Sequence, residues 1–207
     1  MRGGGHGGLK LKVHCKKTGR FVRKPLYGVG LTDVEGTVAS LGASYKCWRS
    51  MLTRAYSEKY KENSPCYHGV SVTQEWLVFS SFKVWFDMHY RLGFDLDKDL
   101  LGDGSLYSPE TCVFLPRQLN LFLEKKSRGR NKPVGVRLIS SGKFATQAHD
   151  ESGQCCHIGV FSTESDARFA YLTFKSRVAE TLAKRWAGLV DERALARLVS
   201  YYRDKQI

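Results

Sequence analysis

Lysine and arginine side chains are concentrated in two short segments of the chain, where they could bind a polyanion. Residues 1–24 hold eight basic residues and no acidic one, and residues 121–132 hold five basic residues and one acidic residue. Together these segments account for nearly all of the formal net charge of +13. Segregated positive charge is typical of proteins that contact nucleic acid, although simple solvation is the alternative. The predicted phosphate contacts are Lys16, Lys17, Arg20, Arg23, Lys24, Lys125, Lys126, Arg128 and Arg130.

A second set of polar residues alternates with apolar ones after residue 133. In a strand over 134–138, Arg137 would point away from the apolar residues on either side of it, because successive side chains of a strand face opposite ways. A strand over 143–149 would gather its polar residues on one face. The polar face is predicted to comprise Arg137, Lys143, Gln147 and His149.

The elements that must position these residues fall into two groups. In the first group, helical spacing of apolar residues predicts helices over 44–56 and 80–91, with Ser44 as an N-cap. The first group also contains a strand over 94–100, a turn, a strand over 111–115 and a helix from Pro116 to about Lys125.

The second group begins after the basic, Pro-terminated stretch 125–132, which marks a domain boundary. Its predicted strands cover 134–138, 143–149 and 157–161. A helix capped by Thr163 follows, and a last helix covers 191–202.

Composition excludes several classes of protein. The 207 residues are 42% hydrophobic and 26% charged, as in ordinary globular chains. No stretch approaches the length of a membrane span, and residues 1–8 lack the apolar centre of a secretory signal. The six cysteines include no C-x-x-C pair, so a zinc ribbon is not indicated and reduced thiols in the cytoplasm are expected.

The first group carries motifs of a known family. The segments Trp48-Arg-Ser-Met-Leu, Leu96-Asp-Lys-Asp and Tyr107-Ser-Pro-Glu-Thr-Cys-Val-Phe resemble the HNH endonuclease-like proteins of bacteriophages. The resemblance implies a strand–strand–helix (ββα-metal) unit in which a divalent cation such as Mg²⁺ polarises a phosphate. By position, Asp97 and Asn120 are its implied metal ligands, and the implied catalytic residues are Asp97, Lys98 and Asn120.

The chain departs from that family's pattern at several positions. Lys98 stands where the family has its general-base histidine, and Ser105 and Thr111 stand where asparagine is usual. A lysine beside two aspartates is a poor base at neutral pH. His68 and His89 are the histidines nearby in sequence that could take the role.

The second group resembles an APETALA2-type DNA-binding domain. The resemblance rests on Val134-Gly-Val-Arg, Ser141-Gly-Lys-Phe-Ala, Ile158-Gly-Val-Phe-Ser-Thr-Glu and Ala167-Arg-Phe-Ala-Tyr. It implies a three-stranded antiparallel sheet that lies in the major groove of DNA, backed by a helix. By position, the resemblance implies DNA contacts from Arg137, Lys143, Gln147, His149 and His157, with His157 in place of an aromatic residue of the family.

Together these observations predict an α+β protein with an HNH-like domain followed by a small three-stranded antiparallel sheet packed on a helix. The predicted organisation is an arm over 1–26, an HNH-like domain over 27–124, a linker over 125–132 and an APETALA2-like domain with a C-terminal helix over 133–207.

The predicted function is sequence-preferring binding of double-stranded DNA, with Mg²⁺-dependent phosphodiester cleavage. The predicted location is the cytoplasm, which is that of a bacterial host if the chain is encoded by a phage. No membrane and no small-molecule substrate are expected. One alternative is a catalytically inactive relative that acts as a regulator or as an inhibitor of host machinery. A further alternative is an RNA or ribosome binder that uses the basic arm.

Overall fold

The computed structural model describes residues 24–123 and 134–205, together with the backbone of two short strands near the N-terminus. Except for Lys24, which is exposed, the predicted phosphate contacts of the two basic segments lie outside the described residues. Within the described part of the chain, helices and strands are mixed, and no helix is long and apolar enough to cross a membrane.

The elements follow one another in an order that alternates short strands with helices. They are β1 (Val13–His14), β2 (Phe21–Val22), α1 (Val38–Tyr56), α2 (Glu58–Asn63), β3 (Ser71–Val72), α3 (Phe79–His89), β4 (Phe94–Asp97), β5 (Leu106–Tyr107), β6 (Val113–Pro116), α4 (Arg117–Phe122), β7 (Val136–Leu138), β8 (Phe144–His149), β9 (Cys155–Phe161), α5 (Glu164–Trp186) and α6 (Glu192–Arg203). Short 3-10 turns cover Pro65–Tyr67 and Gln74–Leu77.

The chain folds into two compact units. The first unit ends at Tyr90 and takes in Gly104–Pro109, whereas the second comprises Arg91–Asp103 and the chain from Glu110 onward. Helices α1 to α3 and the parallel strand pair β3 and β5 therefore belong to the first unit. The second unit contains β4, β6 and α4, the three-stranded sheet and the last two helices.

An aromatic core holds the first unit together. Trp48 of α1 is fully buried, and its indole Nε1–H donates to the carbonyl oxygen of Trp76 at 2.6 Å. The ring of Trp76 packs edge-on against Phe82 of α3, with 5.1 Å between centroids. Large aromatic rings bury much apolar surface, and the buried indole nitrogen finds a partner, so this core fixes α1 against α3.

Helix α1 begins earlier than the sequence predicts. Its backbone breaks at Gly42, which has a φ of 67°, and Thr37 caps the part before the break by accepting from the backbone N–H of Ser40 at 3.2 Å. The prediction that Ser44 is an N-cap is wrong. Ser44 lies inside the helix, and its hydroxyl donates to the carbonyl oxygen of Leu41 at 3.0 Å.

The second unit begins with a strand–strand–helix arrangement. Strands β4 and β6 pair antiparallel, and α4 follows β6 at once with Pro116 in its cap position. Strand β4 ends at Asp97, three residues before the predicted end, because the carboxylate of Asp97 accepts backbone N–H groups of the turn that follows. Helix α4 likewise ends at Phe122 rather than near Lys125.

The three-stranded antiparallel sheet has the order β7-β8-β9, which confirms the predicted small sheet. Helix α5 packs across one face of this sheet, and α6 packs against α5. Thr163 caps α5 as predicted, since its hydroxyl oxygen accepts from the backbone N–H of Asp166 at 3.1 Å. One face of the sheet is thus covered by a helix.

A single apolar core runs through the second unit. Leu115 of β6 and Leu119 of α4 belong to the same buried cluster as Leu172 and Leu182 of α5 and Leu198 of α6. The predicted division at 125–132 therefore does not coincide with the division between the compact units. Apolar packing joins the strand–strand–helix arrangement to the three-stranded sheet and its helices.

Candidate functional site

The face of the three-stranded sheet that lies opposite α5 carries most of the predicted contacts. Residues directly opposite each other on antiparallel strands share a face. On the covered side, Thr146 and Ala148 of β8 are buried. The opposite side, called here the outer sheet face, comprises Arg137, Lys143, Ala145, Gln147, His149, Cys155, His157 and Val160.

The register arranges this face in rows across the strands. Gln147 pairs with His157, and His149 pairs with Cys155. Lys143 lies one position before β8, and its carbonyl oxygen accepts from Ile139 at 2.9 Å, which extends the ladder by one step. Apart from Ala145, which is partly buried, all the residues of the outer sheet face are exposed. The five predicted polar contacts are thus brought together.

A β-bulge decides which residues of β9 join the outer sheet face. Thr146 pairs with Gly159 but the next residue, Gln147, pairs with His157, so Ile158 is an extra residue in β9. Ile158 packs against the core of the second unit. Strict alternation from Val160 would have turned Ile158 outward and His157 inward. The bulge reverses this and re-aims the histidine, a common use of bulges near functional sites.

The turn between β8 and β9 is held rigidly. Asp150 Oδ1 accepts from the backbone N–H groups of Ser152 and Gln154, each at 2.9 Å, and from the Ser152 hydroxyl at 2.7 Å. The hydrogen bond from Ser152 is the main cause that holds the pKa of Asp150 below its ordinary value. This local network orders the end of the ribbon that carries His149 and Cys155.

Side chains of two helices anchor the same turn. The carbonyl oxygen of Glu151 accepts from Gln118 Nε2 of α4 at 2.7 Å and from a guanidinium nitrogen of Arg185 of α5 at 3.0 Å. Trp186 Nε1 donates to Gln118 Oε1 at 3.0 Å, which orients the glutamine amide. The strand–strand–helix arrangement therefore helps to position the outer sheet face.

Strand β7, which carries Arg137, is fixed at its start. Arg168 of α5 donates to the carbonyl oxygen of Val134 at 2.8 Å. The carbonyl oxygen of Gly135 accepts from the hydroxyl of Thr146 at 2.7 Å. Gly135 has a φ of 81°, and a Cβ there would lie 2.1 Å from the ring of Tyr171, so only glycine fits. Arg137 therefore projects from a strand with little freedom to shift.

The carboxyl group of Asp97 is built into a turn at the end of β4. Asp97 is 9% exposed, and its Oδ1 accepts from the backbone N–H of Asp99 at 3.1 Å and of Leu100 at 2.9 Å. Burial raises the pKa of this carboxyl above its ordinary value, and the two N–H donors act against that shift. The arrangement is that of a cap for the turn that follows the strand.

Lys98 is buried rather than open to a substrate. It is 6% exposed, and its Nζ donates to Asp99 Oδ1 at 2.6 Å across an ion pair whose aspartate side is largely exposed. The ammonium group serves here as a donor to a neighbouring carboxylate. A group held in this way does not fit the position of a general base.

Asn120, the third residue of the predicted catalytic set, belongs to the same compact unit as Asp97. Asn120 lies partly exposed on α4. His68 is exposed in the first unit, whereas His89 stacks on Trp85 at the end of α3, and its Nδ1 lies 2.7 Å from the Trp85 carbonyl oxygen. Both histidines belong to a different unit from Asp97.

The surroundings of Asp97 do not form a preformed Mg²⁺ site among the described residues. Mg²⁺ needs oxygen ligands that can approach it in octahedral geometry, and one oxygen of Asp97 already accepts two N–H groups in a buried turn. Across residues 24–123 and 134–205, no group of three histidine, cysteine, aspartate or glutamate side chains could hold a metal ion.

Comparison with known proteins leaves the family undecided. No protein-family model, no curated protein and no solved structure matches the chain. The resemblances to HNH endonuclease-like proteins and to APETALA2-type domains stay predictions from the motifs that carry them. What the chain does is inferred from the geometry of its own described residues.

Val160 and Cys155 complete the outer sheet face, and neither was predicted from the sequence. Ala145 shares this face with Lys143 and Gln147, as the alternation along the strand predicts. Phe161 pairs with Phe144 on the covered side of the sheet. Since successive residues of a strand face opposite ways, Val160 could have been predicted on the outer sheet face. No pattern in the sequence predicts the extra residue at Ile158. The face on which Cys155 lies was therefore known only from the structure. These residues give the polar face an apolar portion.

Proposed function

We propose that the chain is a sequence-preferring DNA-binding protein whose outer sheet face enters the major groove of a duplex. The observation that carries the proposal is the gathering of Arg137, Lys143, Gln147, His149 and His157 on the exposed side of a sheet whose other side is covered. The major groove is about 12 Å wide and admits a β-ribbon. The small sheet is of a size to fit it.

The charge of the outer sheet face supports a polyanionic partner. Of its eight residues none is acidic, and Arg137 and Lys143 are cationic. The chain as a whole carries a formal net charge of +13, most of it in the two basic segments. Such segments supply sequence-independent phosphate contacts, which set register without selecting bases.

The side chains on the face suit direct contact with bases. The guanidinium group of Arg137 can donate two hydrogen bonds to guanine O6 and N7. The amide of Gln147 can pair in the same way with adenine N6 and N7. Both residues lie on strands whose ends are hydrogen-bonded to α4 or α5. The strands are therefore already ordered, which lowers the entropy cost of binding.

In this proposal the strand–strand–helix arrangement is a support for the sheet. The carbonyl oxygen of Phe122, at the end of α4, accepts from Lys175 Nζ of α5 at 2.8 Å and from the hydroxyl of Tyr202 of α6 at 2.7 Å. The ammonium group of Lys175 also lies 3.3 Å from the ring centroid of Phe122. A buried cation paired in this way ties α4 firmly to the helices behind the sheet.

Phosphodiester cleavage is the second candidate function. It is favoured by the antiparallel pair β4 and β6 followed at once by α4, with a carboxylate at the end of β4. The buried turn cap at Asp97 and the burial of Lys98, whose ammonium group pairs with Asp99, speak against it. Binding without cleavage is therefore the function that the geometry supports better.

Duplex binding is expected to be strongly salt-dependent. If the basic segments and the outer sheet face together neutralise about six phosphates, the slope of log K against log salt concentration should be near −5. Fluorescence anisotropy of the full chain with a labelled duplex of about 20 base pairs would measure it. A slope near zero, or no binding at low salt, would contradict the proposal.

Two further probes in the same assay separate the alternatives. Single-stranded RNA and double-stranded RNA of matched length test the RNA-binding alternative. A-form RNA has a deep, narrow major groove that a sheet cannot enter, so the duplex DNA should compete best. RNA that binds more tightly than DNA would favour the alternative instead.

A further inference from the structure

Two apolar residues, Ala145 and Val160, lie side by side in one row of the outer sheet face. Arg137 of β7, Ala145 of β8 and Val160 of β9 lie opposite one another across all three strands. Val160 is 48% exposed although it is a β-branched apolar residue. Ala145 lies between Val160 and Arg137 in this row, so a small aliphatic surface lies on the two strands next to β7.

The neighbouring rows of the face have a different chemistry. Gln147 with His157, and His149 with Cys155, present hydrogen-bonding groups. Gly159, next to Val160 in β9, pairs with Thr146 on the covered side. Ala145 and Val160 thus form an apolar part of the face in a separate row beside these hydrogen-bonding groups.

We propose that Val160, with Ala145, recognises the methyl group of a thymine base; this rests on the proposed DNA-binding function. The C5-methyl group of thymine is the apolar group that the base edges present in the major groove, and aliphatic side chains contact it. Covering Val160 with such a group would remove apolar surface from water, which is favourable.

The register also limits where that thymine lies. Neighbouring strands are about 4.8 Å apart, so Val160 on β9 lies about 10 Å from Arg137 on β7. Successive base pairs are about 3.4 Å apart along the duplex. The thymine should therefore fall within about three base pairs of the guanine that Arg137 contacts.

The test begins with selection of preferred duplexes from a randomised library by the full chain. In the selected duplex each thymine is then replaced, one at a time, by deoxyuridine, which keeps base pairing and removes only the methyl group. One replacement, within about three base pairs of a guanine, should weaken binding about fourfold. That factor corresponds to about 0.8 kcal/mol for one buried methyl-sized group.

Variants of the chain assign the effect to Val160. For Val160→Ala the penalty of that replacement should fall to less than twofold. Val84→Ala, which truncates an exposed valine of α3, should keep the fourfold penalty. An unchanged penalty in Val160→Ala would overturn the proposal.

The remaining outcomes distinguish this proposal from the function it rests on. If the full chain binds no duplex, the DNA-binding function fails. If it selects a sequence but no single deoxyuridine replacement weakens binding, the thymine contact fails while DNA binding stands.

Discussion

Arg137→Ala is expected to weaken binding to the preferred duplex about 5- to 150-fold, the range that corresponds to the loss of one bidentate base contact worth about 1–3 kcal/mol. Binding to duplexes of unrelated sequence should weaken far less, because phosphate contacts dominate there. The ratio of the two dissociation constants, measured by fluorescence anisotropy, reports the loss of specificity. The fixed start of β7 keeps the neighbouring strands in place in this variant.

A matched control comes from the helix behind the sheet. Arg177 is exposed on α5, so Arg177→Ala removes the same charge from a residue that is not part of the outer sheet face. It should change both dissociation constants little and leave their ratio unchanged. An equal loss for preferred and unrelated duplexes in Arg137→Ala would mean that Arg137 contacts only a phosphate.

Two substitutions of Asp97 are expected to differ widely in stability. Asp97→Ala leaves the backbone N–H groups of Asp99 and Leu100 without their acceptor and should lower the free energy of unfolding by about 1–3 kcal/mol. Asp97→Asn keeps an oxygen that can accept both hydrogen bonds and removes a buried charge. At neutral pH it should be as stable as the wild type or more stable, as measured by urea unfolding.

The pH dependence of Asp97→Asn follows from the raised pKa of Asp97. The folded state holds this proton more tightly than the unfolded state, in which the pKa is about 3.9. The carboxyl therefore contributes stability below about pH 3.9, and this contribution is lost as the pH rises through the folded-state pKa. The stability of Asp97→Asn relative to wild type should thus increase as the pH rises.

A comparison of Asp97→Asn with the wild type also tests the second candidate function, phosphodiester cleavage. Neither the wild type nor Asp97→Asn is expected to nick supercoiled plasmid in Mg²⁺ or Mn²⁺. If the wild type nicks and Asp97→Asn does not, while both are folded, the carboxylate is a metal ligand. The interpretation of Asp97 as a turn cap, and the ranking of binding over cleavage, would then be wrong.

Local patterns in the sequence were sufficient to predict much of the structure of the second unit. Alternation over 143–149 separated Gln147 and His149 from the buried Thr146 and Ala148, because one face of the strand is covered by α5. Thr163 could be identified as a cap because its hydroxyl oxygen accepts from a backbone N–H only three residues further along the chain. Such features depend on neighbours along the chain.

Features that depend on residues far apart along the chain could not be predicted from the sequence. Strand β5 pairs with β3 in parallel, joining Tyr107 to Val72, and no local pattern indicates that pairing. The bulge at Ile158 depends on the fit of β9 to β8 and to the core beneath. The segment around Asp97 has the residue types of a metal site, but its burial and hydrogen bonds decide its role. Charge and spacing alone could not reveal that difference.

The central claim, that the outer sheet face contacts duplex DNA, is tested most directly by nuclear magnetic resonance. The full chain, labelled with ¹⁵N, would be titrated with its selected duplex while backbone amide shifts are followed. The account predicts that the largest shifts fall on the strands of the three-stranded sheet, at Arg137, Gln147 and His157. Shifts confined to α1, α3 or α6, with the sheet unchanged, would contradict it.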